Sequence, residues 1–495
     1  MKSVKLFFKS YWKPLLLILI FYVFTLLAIL RANDYYVDDT GRAVIGYGWT
    51  SDFKRYSSTF LSFFLLNLNT KAADLSPFTQ IFALALVALS SVILCLLLTG
   101  KKNGEKLPAL PLALSAFLGI APYSISLWVY KFDAPCMALA LFVSILPFLF
   151  KDAKKKFIFP LASIFCLVVM WTSYQAFSGV YPLLCVLIVL LELLRGEKLK
   201  SLSRFLIVSV ISYLLAGLVY KILPDFSVAP SYRATEIFAL SELIPGFFKN
   251  LALVFSTIWS DFTLVWKVAL FLSALVFLLS FVLRKGNRLK SLGFGCLILI
   301  SLAVISFGPF LVLREIALTP RSLCASSVAF ACLGIILGNN LNKKLRLLSA
   351  PTFLLLYSFM IFAFALGNAF ADQKAYHTFR NSALASDLAA LYPDSAVLTQ
   401  KKVQILGGIG LSAVSEHVVE QYPLTPRILD EGQTGLSEHV WGTRRLLFYY
   451  GLTFDNFFVA DNGRFDCDSF SLKLETAYHK ILESPDESSV CIVVK

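Results

Sequence analysis

The chain is 495 residues long, 58% hydrophobic and only 15% charged, against roughly 25% charged residues in soluble domains, which excludes a water-soluble globular protein. Its formal net charge of +14 does not mark a nucleic-acid binder, because that charge is unevenly placed. Residues 1–371 hold 34 Lys/Arg against 15 Asp/Glu, whereas residues 372–495 hold 11 against 16.

In chain order, Lys2, Lys5, Lys9 and Lys13 precede a first apolar run over 14–30. No small-residue cleavage site follows it, so it reads as a retained helix rather than a signal peptide. Further runs lie near 78–99, 107–122, 135–150, 157–172, 177–194, 203–222, 264–283, 291–311, 321–338 and 347–367, giving eleven expected spans at about 20 residues per crossing. Of the 34 cations, 22 fall in the N-terminal tail and in every second loop, around Lys101, Lys154, Lys198, Arg288 and Lys343. Basic loops stay cytoplasmic, which puts the N-terminus inside and residues 31–77, 123–134, 173–176, 223–263, 312–320 and everything after 368 outside. Segments 56–69 and 246–263 are apolar and aromatic but interrupted, and suit helices lying in the outer interface. The expectation is therefore an all-α polytopic membrane protein over 1–371, with a small α/β domain outside the membrane over 372–495.

Within that last domain, strands are expected at 395–398, 403–406, 457–459 and 490–494, and helices at 375–391 and 472–482. Gly407-Gly408-Ile409-Gly410 lacks the full G-x-G-x-x-G spacing and reads as a turn. Cys467 and Cys491 are the only cysteines of the domain, and an oxidising compartment favours a disulfide between them.

The polar chemistry concentrates on the outer side, where 11 of the 15 acidic residues of the first region fall. All four histidines lie in the tail without H-E-x-x-H or Cys-x-x-Cys partners, so acid–base work in the membrane region falls to carboxylates. The span interiors are nearly free of charge, unlike those of ion-coupled transporters. In the first outer loop Asp38 and Asp39 stand together, with Arg42, Trp49 and Arg55 close behind. Neighbouring carboxylates repel, so one serves as a base nearer neutral pH; alternatively, the pair holds a divalent cation. A solvated loop is the bland alternative. A second loop ends in Tyr130, Lys131, Phe132 and Asp133, a third carries Tyr174 and Gln175, and a fourth is flanked by Arg314 and Arg321.

Asp38-Asp39-x-x-Arg42, Gly46-Tyr47-x-Trp49 and Arg55 resemble the first outer loop of the phage- and bacterium-encoded O-antigen glucosyltransferases that cause serotype conversion. Tyr130-Lys131-Phe132-Asp133 followed by Met137-Ala138-Leu139 is similar to that family's second signature, and Tyr174-Gln175-Ala176 and Pro320-Arg321-Ser322-Leu323 also fit. The resemblance covers about residues 15–340. The chain departs from it in having Lys54-Arg55 where the pattern has Gly-Arg, and the tail has no counterpart. The resemblance implies a C-type membrane glycosyltransferase of the bacterial cytoplasmic membrane. Its donor would be undecaprenyl phosphate glucose and its acceptor a surface polysaccharide on the outer side, with a β-linked donor inverted to an α-glucoside. In that reading Asp38 or Asp39 is the general base, and Arg42, Arg55, Lys131, Arg314 and Arg321 hold the donor phosphate. Trp49, Tyr130, Asp133, Tyr174 and Gln175 meet the sugar or the acceptor. A transferase for another lipid-linked sugar, a polysaccharide or lipid flippase, and an assembly scaffold are the competing readings.

Overall fold

The computed structural model describes residues 2–224, 236–284, 286–429, 456–458 and 466–495. The chain divides into two compact units. The first comprises Met1–Leu27, Gly48–Thr70 and Leu75–Phe364, and the second Ala28–Tyr47, Lys71–Asp74 and Ala365–Lys495.

The first unit is helical. It begins with α1 (Lys2–Thr25); α2 (Leu27–Ala32) and α3 (Asp38–Ile45) lie almost entirely in the second unit. Two short helices, α4 (Thr50–Phe53) and α5 (Tyr56–Phe60), precede α6 (Phe78–Thr99). Next come α7 (Ala109–Leu114), α8 (Phe117–Ile120), α9 (Pro122–Trp128) and α10 (Ala134–Ile145). They are followed by α11 (Ile158–Trp171), α12 (Val180–Leu194), α13 (Leu199–Ile222) and α14 (Leu243–Asp261). The unit closes with α15 (Leu264–Val282), α16 (Arg288–Val304), α17 (Ser326–Asn340) and the start of α18 (Ala350–Leu391).

Among the described residues nine helices are long and apolar enough to cross a membrane, and one bent pair, Ala109–Ile120 with Pro122–Trp128, adds a broken span. The molecule is a membrane protein. The hydroxyls inside its long helices turn back on their own backbone, as in Ser90 to Leu86 O (2.8 Å), Thr99 to Cys95 O (2.7 Å) and Ser273 to Ala269 O (2.7 Å). Each of these hydroxyls is thereby satisfied within its own helix. A few hydroxyls join helices instead, among them Tyr22 with Ser91 (2.7 Å) and Tyr181 with Ser163 (2.9 Å). Ile207, Ile211, Leu214 and Leu218 of α13 and Val268, Phe271 and Leu275 of α15 are exposed, the composition of a lipid-facing surface.

Helix α14 differs from the sequence expectation. The segment expected to be interrupted over 246–263 is one unbroken helix that starts at Leu243, with Pro245 and Gly246 in its first turn, where proline costs little. Asn250 donates to Leu311 O (3.1 Å) and Leu313 O (2.7 Å), and Asp261 at its far end accepts from Tyr123 (2.5 Å). The helix α9 that carries Tyr123 packs on the Pro320–Leu323 turn. The contacts of Asn250 and Asp261 thus tie α14 to the 311–313 stretch and, through α9, to the Pro320–Leu323 turn that bears Arg321.

One crossing fixes this end. Gly179, which caps α12, lies against the Gly308 backbone of the Ile305–Val312 segment that extends α16. A Cβ on Gly179 would fall 2.1 Å from Ser306 O, so only glycine allows the approach.

The second unit contains a five-stranded sheet in the order β2-β1-β5-β4-β3. Its strands are β1 (Lys402–Leu406), β2 (Asn456–Phe458), β3 (Ser471–Glu475), β4 (His479–Glu483) and β5 (Ser489–Val494). Strand β1 is parallel to β2 and β5, whereas β4 is antiparallel to β5 and β3. Leu384 and Leu388 of α18 pack on Val403, Ile405, Ile481, Val490 and Ile492. Cys467 and Cys491 are bonded, with Cα atoms 6.1 Å apart. The helices α20 (Ala413–Gln421) and α21 (Thr425–Ile428) complete the described part of the unit.

Two local expectations are corrected here. Residues 395–398 open a helix, α19 (Ser395–Gln400), because the Asp394 side chain caps it at Ala396 N. Residues 472–482 form the β3–β4 hairpin rather than a helix. Its turn is held by Thr476 Oγ1, which accepts from Tyr478 N and His479 N, and alternation puts His479, Ile481 and Glu483 on the buried side.

Candidate functional site

The residues singled out by sequence fall into two sets, one in each unit. In the second unit, α3 starts with Asp38 and Asp39 in its first turn, where carboxylates favour the positive end of the helix dipole. The backbone reaches that start through two strained positions. Asn33 and Val37 have φ of 46°, the left-handed region that a β-branched residue enters only at a cost. Asp39 is fully buried, and its Oδ2 accepts from Tyr36 N (3.3 Å) while its own N donates to Tyr36 O (3.0 Å). Asp38 is half-buried. Arg42, one turn later and 2% exposed, places its guanidinium 5.1 Å from the Tyr47 ring, and the Tyr47 hydroxyl donates to Asp38 O (3.4 Å). Gly46 ends the helix at φ 71°, with its N–H on Arg42 O.

In the first unit, four loops distant in sequence meet. The Arg55 guanidinium lies 4.7 Å from the Phe53 ring and 5.2 Å from the Tyr174 ring. Tyr174 donates its hydroxyl to Arg321 O (3.1 Å), and the Arg321 guanidinium lies 5.0 Å from the Tyr130 ring. Arg55, Tyr174, Arg321 and Tyr130 thus form a continuous chain of cations on aromatic faces, each pairing contributing about 0.5–2 kcal/mol depending on desolvation. Hydrogen bonds fix the loop of Arg55 to the turn of Tyr174. Ser57 bonds Thr172 through both hydroxyls (2.7 Å) and backbone (3.0 Å), and the Ser58 hydroxyl donates to Ser173 O (3.2 Å).

The Lys54 departure from the family pattern now has a cause. Lys54 sits at φ 53°, a conformation glycine enters freely. Here a lysine is held in it by its surroundings: Nζ lies 5.2 Å from the Tyr220 ring and donates to Lys221 O (3.5 Å).

The remaining candidates are placed as follows. Lys131 and Asp133 are both buried beside Tyr130, and the Asp133 carboxylate does not cap α10. Gln175 turns away from the chain, donating to Trp171 O (2.8 Å) and Tyr220 Oη (3.2 Å). Trp49 is buried at 1% exposure, its backbone N donating to Thr59 Oγ1 (3.0 Å). Arg314 is exposed and pairs with Glu236 at 3.6 Å, a contact worth at most about 1 kcal/mol. Among the described residues no group of three or more His, Cys, Asp and Glu is placed to hold a metal ion. Two features had no sequence signal: the buried Tyr123–Asp261 pair, 138 positions apart, and Tyr36, whose role rests on contacts with residues near 370 and 428.

No curated protein and no solved structure matches the chain. The family model described as glucosyl transferase GtrII matches residues 27–338, which span every loop of both sets, and the chain belongs to that glucosyltransferase family.

Proposed function

We propose that this glucosyltransferase takes glucose from a polyprenyl phosphate glucose, undecaprenyl phosphate glucose, and attaches it to an O-antigen-like surface polysaccharide outside the cytoplasmic membrane. The N-terminus is then cytoplasmic, the C-terminal domain extracytoplasmic and the membrane region of the C-type. Asp38 removes the proton of an acceptor hydroxyl as that oxygen attacks the anomeric carbon. The bond from that carbon to the phosphate oxygen breaks, and the lipid phosphate leaves with the electron pair. Asp39 holds the turn from which Asp38 acts. Guanidiniums suit the departing phosphate because their planar forks match two of its oxygens at once. Arg42 on α3 and Arg55 and Arg321 of the aromatic chain are assigned that role, with Lys131 as a further cation.

The observation that carries this reading is the structure of the GtrII loops themselves. They present one half-buried carboxylate on a fixed helix start, and two arginines over the rings of Tyr174 and Tyr130. The test is transfer by the purified full chain from synthetic polyprenyl phosphates carrying glucose, mannose or arabinose. Glucose alone should be transferred, and Asp38→Asn should lower the rate about 10²–10⁴-fold with normal insertion. An Asp38→Asn enzyme at near-normal rate would reduce the carboxylate to a solvated side chain, and preference for another sugar would correct the donor.

A further inference from the structure

Residues 28–47 belong to the same compact unit as the C-terminal region, and the contacts that join them are specific. The Tyr36 hydroxyl donates to Ile428 O at the end of α21 (2.7 Å), and its ring stands edge-on to Phe370 of α18 at 5.8 Å. Lys374 Nζ donates to Asn33 O (2.9 Å) and Ala32 O (3.4 Å), and Arg31 Nη2 donates to Asn368 Oδ1 (2.5 Å). These contacts fall on Asn33 and its neighbours Arg31 and Ala32, and on Tyr36, which directly precedes Val37. A backbone strained at two non-glycine residues persists only where its surroundings over-determine it, and here the surroundings are α18 and α21. Tyr36 connects the two ends of the arrangement. Its main chain exchanges hydrogen bonds with Asp39, while its side chain is fixed by the C-terminal region. The segment matched by the family ends at residue 338, so Asn368, Phe370, Lys374 and Ile428, which hold this stretch, all lie beyond it.

We infer that the C-terminal region is part of the catalytic apparatus, with Tyr36 as the positioning residue through which α18 and α21 fix the Asp38–Asp39 start of α3. This rests on the reading of Asp38 as the base. With the grip loosened, Val37 relaxes toward ordinary φ, α3 loses its first turn, and Asp38 no longer meets the acceptor hydroxyl in line. Substrate binding by groups elsewhere is untouched, so the loss belongs to kcat.

The test uses the full chain in lipid nanodiscs, with polyprenyl phosphate glucose and the polysaccharide acceptor. Tyr36→Phe, which keeps the ring and loses the hydroxyl, should lower kcat roughly three- to tenfold, with KM for both substrates within about twofold. Tyr36→Ala should cost on the order of a hundredfold, the usual effect of displacing a reacting group by about 1 Å. Lys374→Met should lower kcat in the same sense, and its combination with Tyr36→Phe should fall short of the product of the two, because both act on one turn. Amide exchange supplies an independent readout. The Asp39 and Thr40 amides, which donate to Tyr36 O and Val37 O, should exchange faster in Tyr36→Phe while those of β1 and β5 do not. Unchanged kcat and exchange in both Tyr36 variants, with Asp38→Asn inactive, would overturn the positioning role alone. An active Asp38→Asn would overturn the assignment of the base and this inference with it.

Discussion

Replacing Gly179 by alanine tests the close crossing that sets the end of the bundle where Tyr174 and Arg321 meet. The added Cβ would fall 2.1 Å from Ser306 O, 2.6 Å from Ser306 C and 2.7 Å from Gly308 N. All three are backbone atoms, so no side chain can swing aside, and α12 and the 305–312 segment must part by more than about 1 Å to reach van der Waals separation. Overpacking of this kind costs about 1–3 kcal/mol, and backbone on both sides puts Gly179→Ala at the upper end. Tyr174 and Gln175 lie five and four residues before Gly179, so a displacement of that size should also reduce transfer about a hundredfold. Gly217→Ala is the matched control. It lies within α13 with nothing inside 4 Å of a Cβ, and should be neutral or stabilising by up to about 1 kcal/mol. Thermal unfolding and transfer rates of the two purified variants decide the matter. If Gly179→Ala melts and turns over like the parent protein, the contact does not hold the two segments together.

Arg321→Lys keeps the charge but gives up the guanidinium over the Tyr130 ring and the two-pronged grip on a phosphate, so kcat should fall at least about tenfold. Arg321→Ala should cost about 10²–10³-fold, and a fully active lysine variant would show that charge alone suffices. The second unit should lose stability on acidification. Burial pushes the His479 imidazole below its usual range, although Asp387 Oδ2, 2.9 Å away, opposes the shift. The unfolded chain therefore binds the proton more readily, and this contribution is present above about pH 6.5 and fades as pH falls below it. For Glu483, burial alone would raise the carboxyl, but hydrogen bonds from Lys473, Lys401 and Tyr392 hold it below the ordinary value. Its share is thus lost later, through the carboxylate range, as is that of Asp486, held at about 2 by Ser484 and Ser488. Melting of the disulfide-linked unit followed from pH 7.5 to 4 should show a decline beginning near pH 6.5, and that first step should vanish in His479→Gln. A melting temperature that rises on acidification would reverse the sign of the argument.

The membrane architecture was legible because long apolar runs and basic loops are properties of local sequence, and α6, α13 and α15 lie where those runs lie. The errors came where a few side chains overrule a local pattern. Asp394 turns 395–400 into a helix, and Thr476 folds 472–482 back on itself. The candidate loops were legible as motifs, but their arrangement was not. Nothing near Arg55 shows that Tyr174 will carry it, or that Tyr174 will bond the backbone of Arg321, 147 positions later. Equally, no composition rule reveals that Val37 has a positive φ, or that Tyr36 bonds Ile428, 392 positions away. Such features are long-range agreements between surfaces, and sequence spacing carries no trace of them.

The two aspartates, identical and adjacent, are given different work by geometry. Successive residues of a helix project about 100° apart, so a helix start lying against a packed surface turns one carboxylate inward and leaves the next at the boundary. Asp39 is the inward one. Its oxygen accepts from the Tyr36 amide, and protonation would replace that charge-assisted hydrogen bond with a weaker neutral one. A group so committed is a poor proton carrier, since each proton it accepted would weaken the turn it holds. Asp38, on the same first turn, keeps part of its surface open to solvent. In the proposed reaction the cycling proton belongs to Asp38, and Asp39 transmits the grip of the C-terminal region to its neighbour. The pair then works as a base and its mount rather than as two carboxylates sharing one proton. That explains why a strained valine immediately before them is tolerated: the strain sits in the mount, where α18 and α21 can hold it.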